Sequence, residues 1–161
     1  YKRQVLTLTN VKGFEATVAA EKGIAIASAK LTYAFANADV PKVNVITGEA
    51  YGSAYVSMNS KSLGADLVYA WPTASIGMMD SQLAAKIMYA DEIAAASDVA
   101  ATVSEKAAEY AKLQSSVESA AARGYVDAII EPADTRKYVI GAFEMLFTKR
   151  EDRPAKKHGT V

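Results

Sequence analysis

The sequence predicts an α/β domain, on three observations. Short apolar runs rich in β-branched residues, "VLTLT", "VNVIT" and "LVYAW", recur through the first half. Segments with helical spacing of apolar residues separate them. The second half is mostly helical in period. Strands that are apolar along their length are expected to be buried on both faces of a sheet.

Taken in order, Val5 to Thr9 is the first strand. "NVKGFEATV" is a loop, and a helix follows from about Val18 with Ile24, Ala27, Leu31, Ala34 and Phe35 on one face. Asn37 to Pro41 breaks it. Val43 to Thr47 is the second strand, Gly48 to Gly52 a turn, and a short helix starts near Ser53 carrying Ala54, Val56 and Met58. Leu67 to Trp71 is the third strand, closed by Pro72, and Ser75 to Met79 a short fourth. Asp80 or Ser81 caps a helix running to about Tyr89. Ser97 caps another, striped by Val99, Val103, Ala107 and Tyr110. Ser115 and Glu118 read as a capping box for a helix stopped by Gly124. Tyr125 to Ile130 is extended, and Asp134 caps a last helix burying Val139, Phe143, Leu146 and Phe147. The expected division is a domain over 1–150 and a charged, mobile tail over 151–161, within the polar run that starts at Lys149.

Composition narrows the functional classes. The 161 residues, 51% hydrophobic and 22% charged, suit one packed domain. Zero formal net charge argues against nucleic acid as a partner. There is no cysteine, and the one histidine, His158, lies in the polar tail, so a metal site would have to be all-oxygen, and none is expected at the carboxylates Asp127, Glu131 and Asp134. No apolar run approaches the roughly 20 residues of a membrane span, and no signal-peptide pattern is seen, so the expected location is cytoplasmic. The first residue is Tyr1 rather than Met, which suggests a piece of a longer chain.

The most informative stretch is "EAYGSAY", where an apolar strand runs into Gly52, Ser53 and Ala54 and then a helix. Small side chains admit a ligand close to the backbone, and a helix start offers unpaired N–H groups and a dipole that favours an anion. The plainer reading is a tight strand-to-helix turn using small residues for packing. No dinucleotide or Walker-type glycine motif is present.

The stretch "VPKVNVITGEAYGSAYVSMNSKSLGADLVYAWPTASIGMM" resembles the carboxyltransferase of biotin-dependent acyl-CoA carboxylases and decarboxylases. "AAARGYVDAIIEPADTRKYVIGAFEMLFTKREDRPAKKHG" resembles the same family's close, and "VKGF" and "GIAIASAKLTYAFANADVPKV" match more loosely. The resemblance covers almost the whole chain but only the C-terminal half of a complete carboxyltransferase. It implies a crotonase-like ββα spiral with a helical C-terminal extension. It implies carboxyl transfer between carboxybiotin and an acyl-CoA thioester. It also implies these partners: a missing N-terminal half, a biotin carboxyl carrier protein, a biotin carboxylase or membrane decarboxylase subunit, and further copies in a homo-oligomer.

In that chemistry, negative charge develops on the ureido oxygen and on the thioester oxygen, and pairs of backbone amides hold them. The family's Gly-Gly-Ala segment lands on Gly52, Ser53 and Ala54. The N–H groups of Ser53 and Ala54 are therefore the expected oxyanion donors, free of intrachain partners and facing a cleft, for one oxygen or the other. Tyr51, Tyr55, Val56, Gly48, Met79 and Asp80 are the expected pocket residues. The chain departs from the family pattern at four places around this turn: Gly48-Glu49 replaces Arg-Lys, Ser53 a Gly, Val56 an Asp, and "MMD" stands for "VMG". These put the acyl specificity in question.

Three other readings stand beside this one. A serine hydrolase at Ser53 lacks a base. A crotonase-type hydratase or isomerase needs carboxylates facing the hole, and only Glu49 is adjacent. A non-catalytic assembly module remains open. Trp71 is expected to be structural, Asp127, Glu131 and Asp134 to be loop or cap residues, and Lys106, Glu109 and Lys112 to form a solvated face.

Overall fold

The computed structural model describes residues 4–152 and 154. Strand β1 (Val5–Val11) leads through a loop to helix α1 (Val18–Asn37), whose cap Thr17 accepts from the Ala20 amide at 3.1 Å. Then come β2 (Lys42–Tyr51), α2 (Gly52–Ser57), a 3-10 turn at Lys61–Leu63, β3 (Leu67–Ala70) and β4 (Ser75–Gly77). Helices α3 (Ser81–Met88), α4 (Ala90–Ala95) and α5 (Val99–Tyr110) follow, and a π turn (Ala111–Ser115) joins α5 to α6 (Val117–Ala122). A two-residue β5 (Ala128–Ile129) and α7 (Thr135–Met145) end the core, with a 3-10 turn at Leu146–Thr148.

All sheet pairings are parallel, in the order β1-β2-β3-β5. The unusual element is β2. Its first half, Val43 to Ile46, pairs with β3, and its second half, Glu49 to Tyr51, pairs with β4. The chain spirals around this long strand, with only a loop between β3 and β4. A doubly wound sheet would place a helix there.

Side chains alternate along β2, as pleating requires. Val43 and Val45, both fully buried, pack with Tyr69, Ile130 and Ala142 under α7. Ile46 packs in the other cluster with Val68, Ile76, Val117 and Val126. Full burial of such aliphatic side chains contributes about 1.5–3 kcal/mol each. Asn44 lies between them and is also fully buried. Its Oδ1 accepts from the Thr7 and Thr9 hydroxyls at 2.9 and 2.7 Å.

Several local expectations are corrected. β2 runs to Tyr51, so the expected Gly48–Gly52 turn shrinks to Gly52 itself. Asp98, not Ser97, caps α5, accepting from the Ala101 amide at 3.0 Å. Ser116, not Ser115, caps α6, because the π turn carries the chain one residue further before it reverses. Asp80 caps α3, with Oδ1 accepting from the Gln82 and Leu83 amides. The helix expected to run to Tyr89 ends at Met88, and α4 was not anticipated. Asp134 stands at the α7 cap but makes no side-chain bond there.

The face expected to be buried on α1 is only partly covered: none of its residues is buried, and Leu31 is 39% exposed. Phe147 lies beyond α7 and is 59% exposed. Lys149, expected to begin a mobile run, is anchored: its ammonium pairs with Asp66 at 2.9 Å. His158 and most of the tail lie outside the described residues.

The Trp71 indole donates to Thr135 Oγ1 at 2.9 Å. Asp127 is more than a solvated loop residue: its carboxylate accepts from the Val68 amide at 2.7 Å and from Lys61 at 2.8 Å. Lys106 likewise departs from a simple solvated face, pairing with Glu92 at 2.9 Å and sitting over the Tyr89 ring.

Candidate active site

The site is built where β2 becomes α2. Gly52 has φ +61°, and a Cβ there would stand 3.1 Å from the Met78 carbonyl oxygen. The reversal therefore needs glycine on two counts, handedness and space. The amides that follow, of Ser53 and Ala54, lie in the first turn of α2, where a helix has no preceding carbonyls to accept from them. Tyr51 at the N-cap supplies no side-chain hydrogen bond to that turn.

The turn is held from two sides. In front, Tyr51 Oη donates to Ser75 Oγ at 2.8 Å, and Ser75 Oγ donates to the Ser115 carbonyl at 3.3 Å. Behind, α2 is pinned at its far end by Asn59, fully buried and in the left-handed region with φ 52°. Its Nδ2 donates to Thr7 Oγ1 at 3.2 Å and to the Val43 carbonyl at 3.4 Å.

Two clefts meet at this turn, and Gly52, Ser53 and Met78 line both. One, of about 360 Å³, adds Tyr51, Ala54, Met79 and Asp80, with Lys12 and Glu49 at 3.2 Å from each other. The other, of about 430 Å³, adds Tyr55, Val56 and Ile76, with a far wall of Tyr110, Gln114, Arg123 and Tyr125. A larger hollow of about 880 Å³ lies along α7 and includes no residue of the turn.

Of the residues expected at the site, Tyr51, Gly52, Ser53, Ala54, Tyr55, Val56, Met79 and Asp80 line one cleft or both. Gly48 does not. It lies in β2 beneath Asn10, whose Oδ1 would be 2.7 Å from a Cβ on Gly48 and accepts from the Glu49 amide at 3.0 Å. That interaction accompanies the register shift between β1 and β2. Asp80 serves its helix as a cap while lining the cleft.

Sequence reasoning missed Lys12 and the α5–α6 wall. Lys12 was visible only as a loop residue, and Tyr110 only as part of a helical stripe. Arg123 and Tyr125 stood in the quoted "RGYVD" run with no signal that they would face Gly52.

Tyr55 is 8% exposed, and its hydroxyl is buried without a hydrogen-bond partner among the described residues. Burial, and secondarily the neighbouring Tyr125, pushes its pKa up to about 12. It is therefore a neutral phenol at ordinary pH. Among the described residues no group of three His, Cys, Asp or Glu side chains could hold a metal.

A parallel spiral around one long strand, with a small-residue turn opening on two clefts, defines a crotonase-like α/β domain. The solved transcarboxylase 12S structure, described with methylmalonyl-CoA and methylmalonic acid bound and as a hexamer assembly, superposes with a TM-score of 0.94 at 45% identity. It covers 99% of this chain and 31% of that one. The β subunit of geranyl-CoA carboxylase from P. aeruginosa superposes at 0.75 with 25% identity, over 96% of this chain and 30% of that one.

The chain belongs to the carboxyl transferase domain family, whose model matches residues 4–161. It is 49% identical over 158 residues to a putative propionyl-CoA carboxylase beta chain of Bacillus subtilis (strain 168), covering 98% of this chain and 31% of that protein. It is 46% identical over 156 residues to the methylmalonyl-CoA carboxyltransferase 12S subunit of Propionibacterium freudenreichii subsp. shermanii, covering 96% and 30%. The chain thus spans about a third of the length of the curated relatives it matches. Among the described residues no helix is long and apolar enough to cross a membrane.

Proposed function

We propose that this chain is the C-terminal domain of a biotin-dependent acyl-CoA carboxyltransferase, with the backbone amides of Ser53 and Ala54 as oxyanion donors. The observation that carries the reading is the position of the turn: Gly52 and Ser53 form a wall common to two clefts, as a reaction joining two ligands requires. The bordering residues are small enough for a planar ring or a thioester to reach the backbone. The clefts, about 360 and 430 Å³, have room for such groups.

Carboxylated biotin, when bound beside the turn, would supply the carboxyl group and, once decarboxylated, the base for the acyl α-proton. The contribution of this chain is electrostatic and positional. The amides of Ser53 and Ala54 point fixed dipoles at a developing oxyanion, at a cost already met in folding. Tyr51 and Asn59 hold those amides in place. In this reading the CoA moiety is bound chiefly by an N-terminal half of the full-length protein. The active unit is accordingly an oligomer in the cytoplasm, in which this turn faces an N-terminal half and receives the carrier.

Ala54→Pro in the full-length protein tests the assignment. Proline deletes one donor at a position where a helix does not need it. Carboxyl transfer is expected to fall by about 100-fold or more, with the circular dichroism spectrum retained. Unchanged turnover in the folded variant would return the turn to a packing role, and an inactive wild-type complex would favour the assembly-module reading.

A further inference from the structure

The two clefts differ in charge. The one beside Lys12 holds two carboxylates, Glu49 and Asp80, against one ammonium. In the one beside Val56, Arg123 is the only charged residue in the lining among the described residues. Its guanidinium has no carboxylate partner among the described residues. One nitrogen, Nη2, donates to Gln114 Oε1 at 2.6 Å and reaches the Leu113 carbonyl at 3.5 Å.

Those bonds orient the fork without neutralising it. Nε and Nη1 make no hydrogen bond to a described residue, so one edge of the fork is open. Gln114 and Leu113 belong to the π turn, an irregular stretch that often marks functional positions. The rest of the lining carries no charge: Tyr55, Tyr110, Tyr125, Val56 and Ile76 make most of it, and the Tyr55 hydroxyl is buried with no partner among the described residues. A cation with a free edge, in a cleft that shares a wall with Gly52 and Ser53, suits a carboxylate on an otherwise apolar ligand.

We propose that Arg123, oriented by Gln114, binds the carboxylate of a carboxylated acyl group, that of a malonyl-type thioester, in this cleft. The inference rests on the carboxyltransferase reading and deepens it. Arg123 selects the carboxylated form of the acyl ligand over the uncarboxylated form, and Gln114 is a positioning residue.

The test uses the full-length protein and two readouts. In the first, methylmalonate, a free dicarboxylate, is titrated calorimetrically into wild type, Arg123→Lys and Gln114→Ala. Both positions are exposed, so the variants are expected to fold. Binding to wild type should weaken by about tenfold or more in Arg123→Lys, where the planar fork is lost and the charge kept, and less in Gln114→Ala. No binding to wild type, or equal binding to all three, would overturn the inference whether or not the protein turns over. In the second, KM is compared for methylmalonyl-CoA and propionyl-CoA. Arg123→Lys should raise the first and leave the second unchanged. If both KM values rise together, Arg123 has only a structural role. Wild type that binds methylmalonate but transfers no carboxyl group would count against the catalytic reading and leave this assignment standing.

Discussion

Tyr51 Oη donates to Ser75 Oγ at 2.8 Å, tying the residue before the Gly52 turn to the first residue of β4. The bond continues through Ser75 to the Ser115 carbonyl at the end of the π turn. The π turn between α5 and α6 and the Gly52 turn are therefore mechanically joined by two hydroxyls.

Tyr51→Phe removes this bond and keeps the ring in the core. A net loss of about 1 kcal/mol is expected in urea unfolding. In the full-length protein the carboxyl transfer proposed above should fall by about tenfold, because small misplacements of positioned groups are costly. Ser75→Ala removes this bond and the one to the Ser115 carbonyl, so it should cost at least as much as Tyr51→Phe. A smaller loss in Ser75→Ala would show that the two hydroxyls are not linked.

Gly52→Ala separates handedness from crowding. At φ +61° an L side chain costs about 1–2 kcal/mol, and the new Cβ also meets the Met78 carbonyl at 3.1 Å. Gly124, at φ +81° with nothing within 4 Å, carries only the first cost. Gly52→Ala should therefore unfold at lower denaturant than Gly124→Ala. Equal midpoints would mean that β4 yields freely.

Tyr55 makes stability depend on alkaline pH. Its pKa is raised in the folded state, from 10.0 to about 12, so folding favours the neutral phenol. That contribution is fully present below pH 10 and is lost as pH rises through about 12. Tyr55→Phe should be neutral to stabilising at pH 7, since the hydroxyl has no partner to lose. Above pH 10 the variant should decline less steeply than wild type in thermal melts. Parallel decline would place the alkaline sensitivity elsewhere.

The strands were legible because β-branched runs such as "VNVIT" are nearly unambiguous in period and length. The Gly52 turn was legible because three small residues in succession have few structural uses. Caps were read within a residue, and the errors at Ser97 and Ser115 arose where two adjacent hydroxyl or carboxylate residues competed. The division of β2 between β3 and β4 could not be read, since pairing partners leave no local trace. The second cleft was hidden for the same reason: Tyr110, Gln114, Arg123 and Tyr125 reach Ser53 only through the docking of α5 and α6. The cluster of Thr7 with the buried Asn44 and Asn59 was missed because a polar residue such as Asn44 inside a strand resembles a solvent-facing one until its neighbours cover it.

The double partnership of β2 divides it mechanically. Val43 to Ile46, entirely buried and paired with β3, bear the fold. Glu49 to Tyr51, paired with the short β4, lead into the turn whose Gly52 and Ser53 line both clefts. One strand thus serves as beam and as bracket: its clamped half fixes the place at which its other half presents the turn.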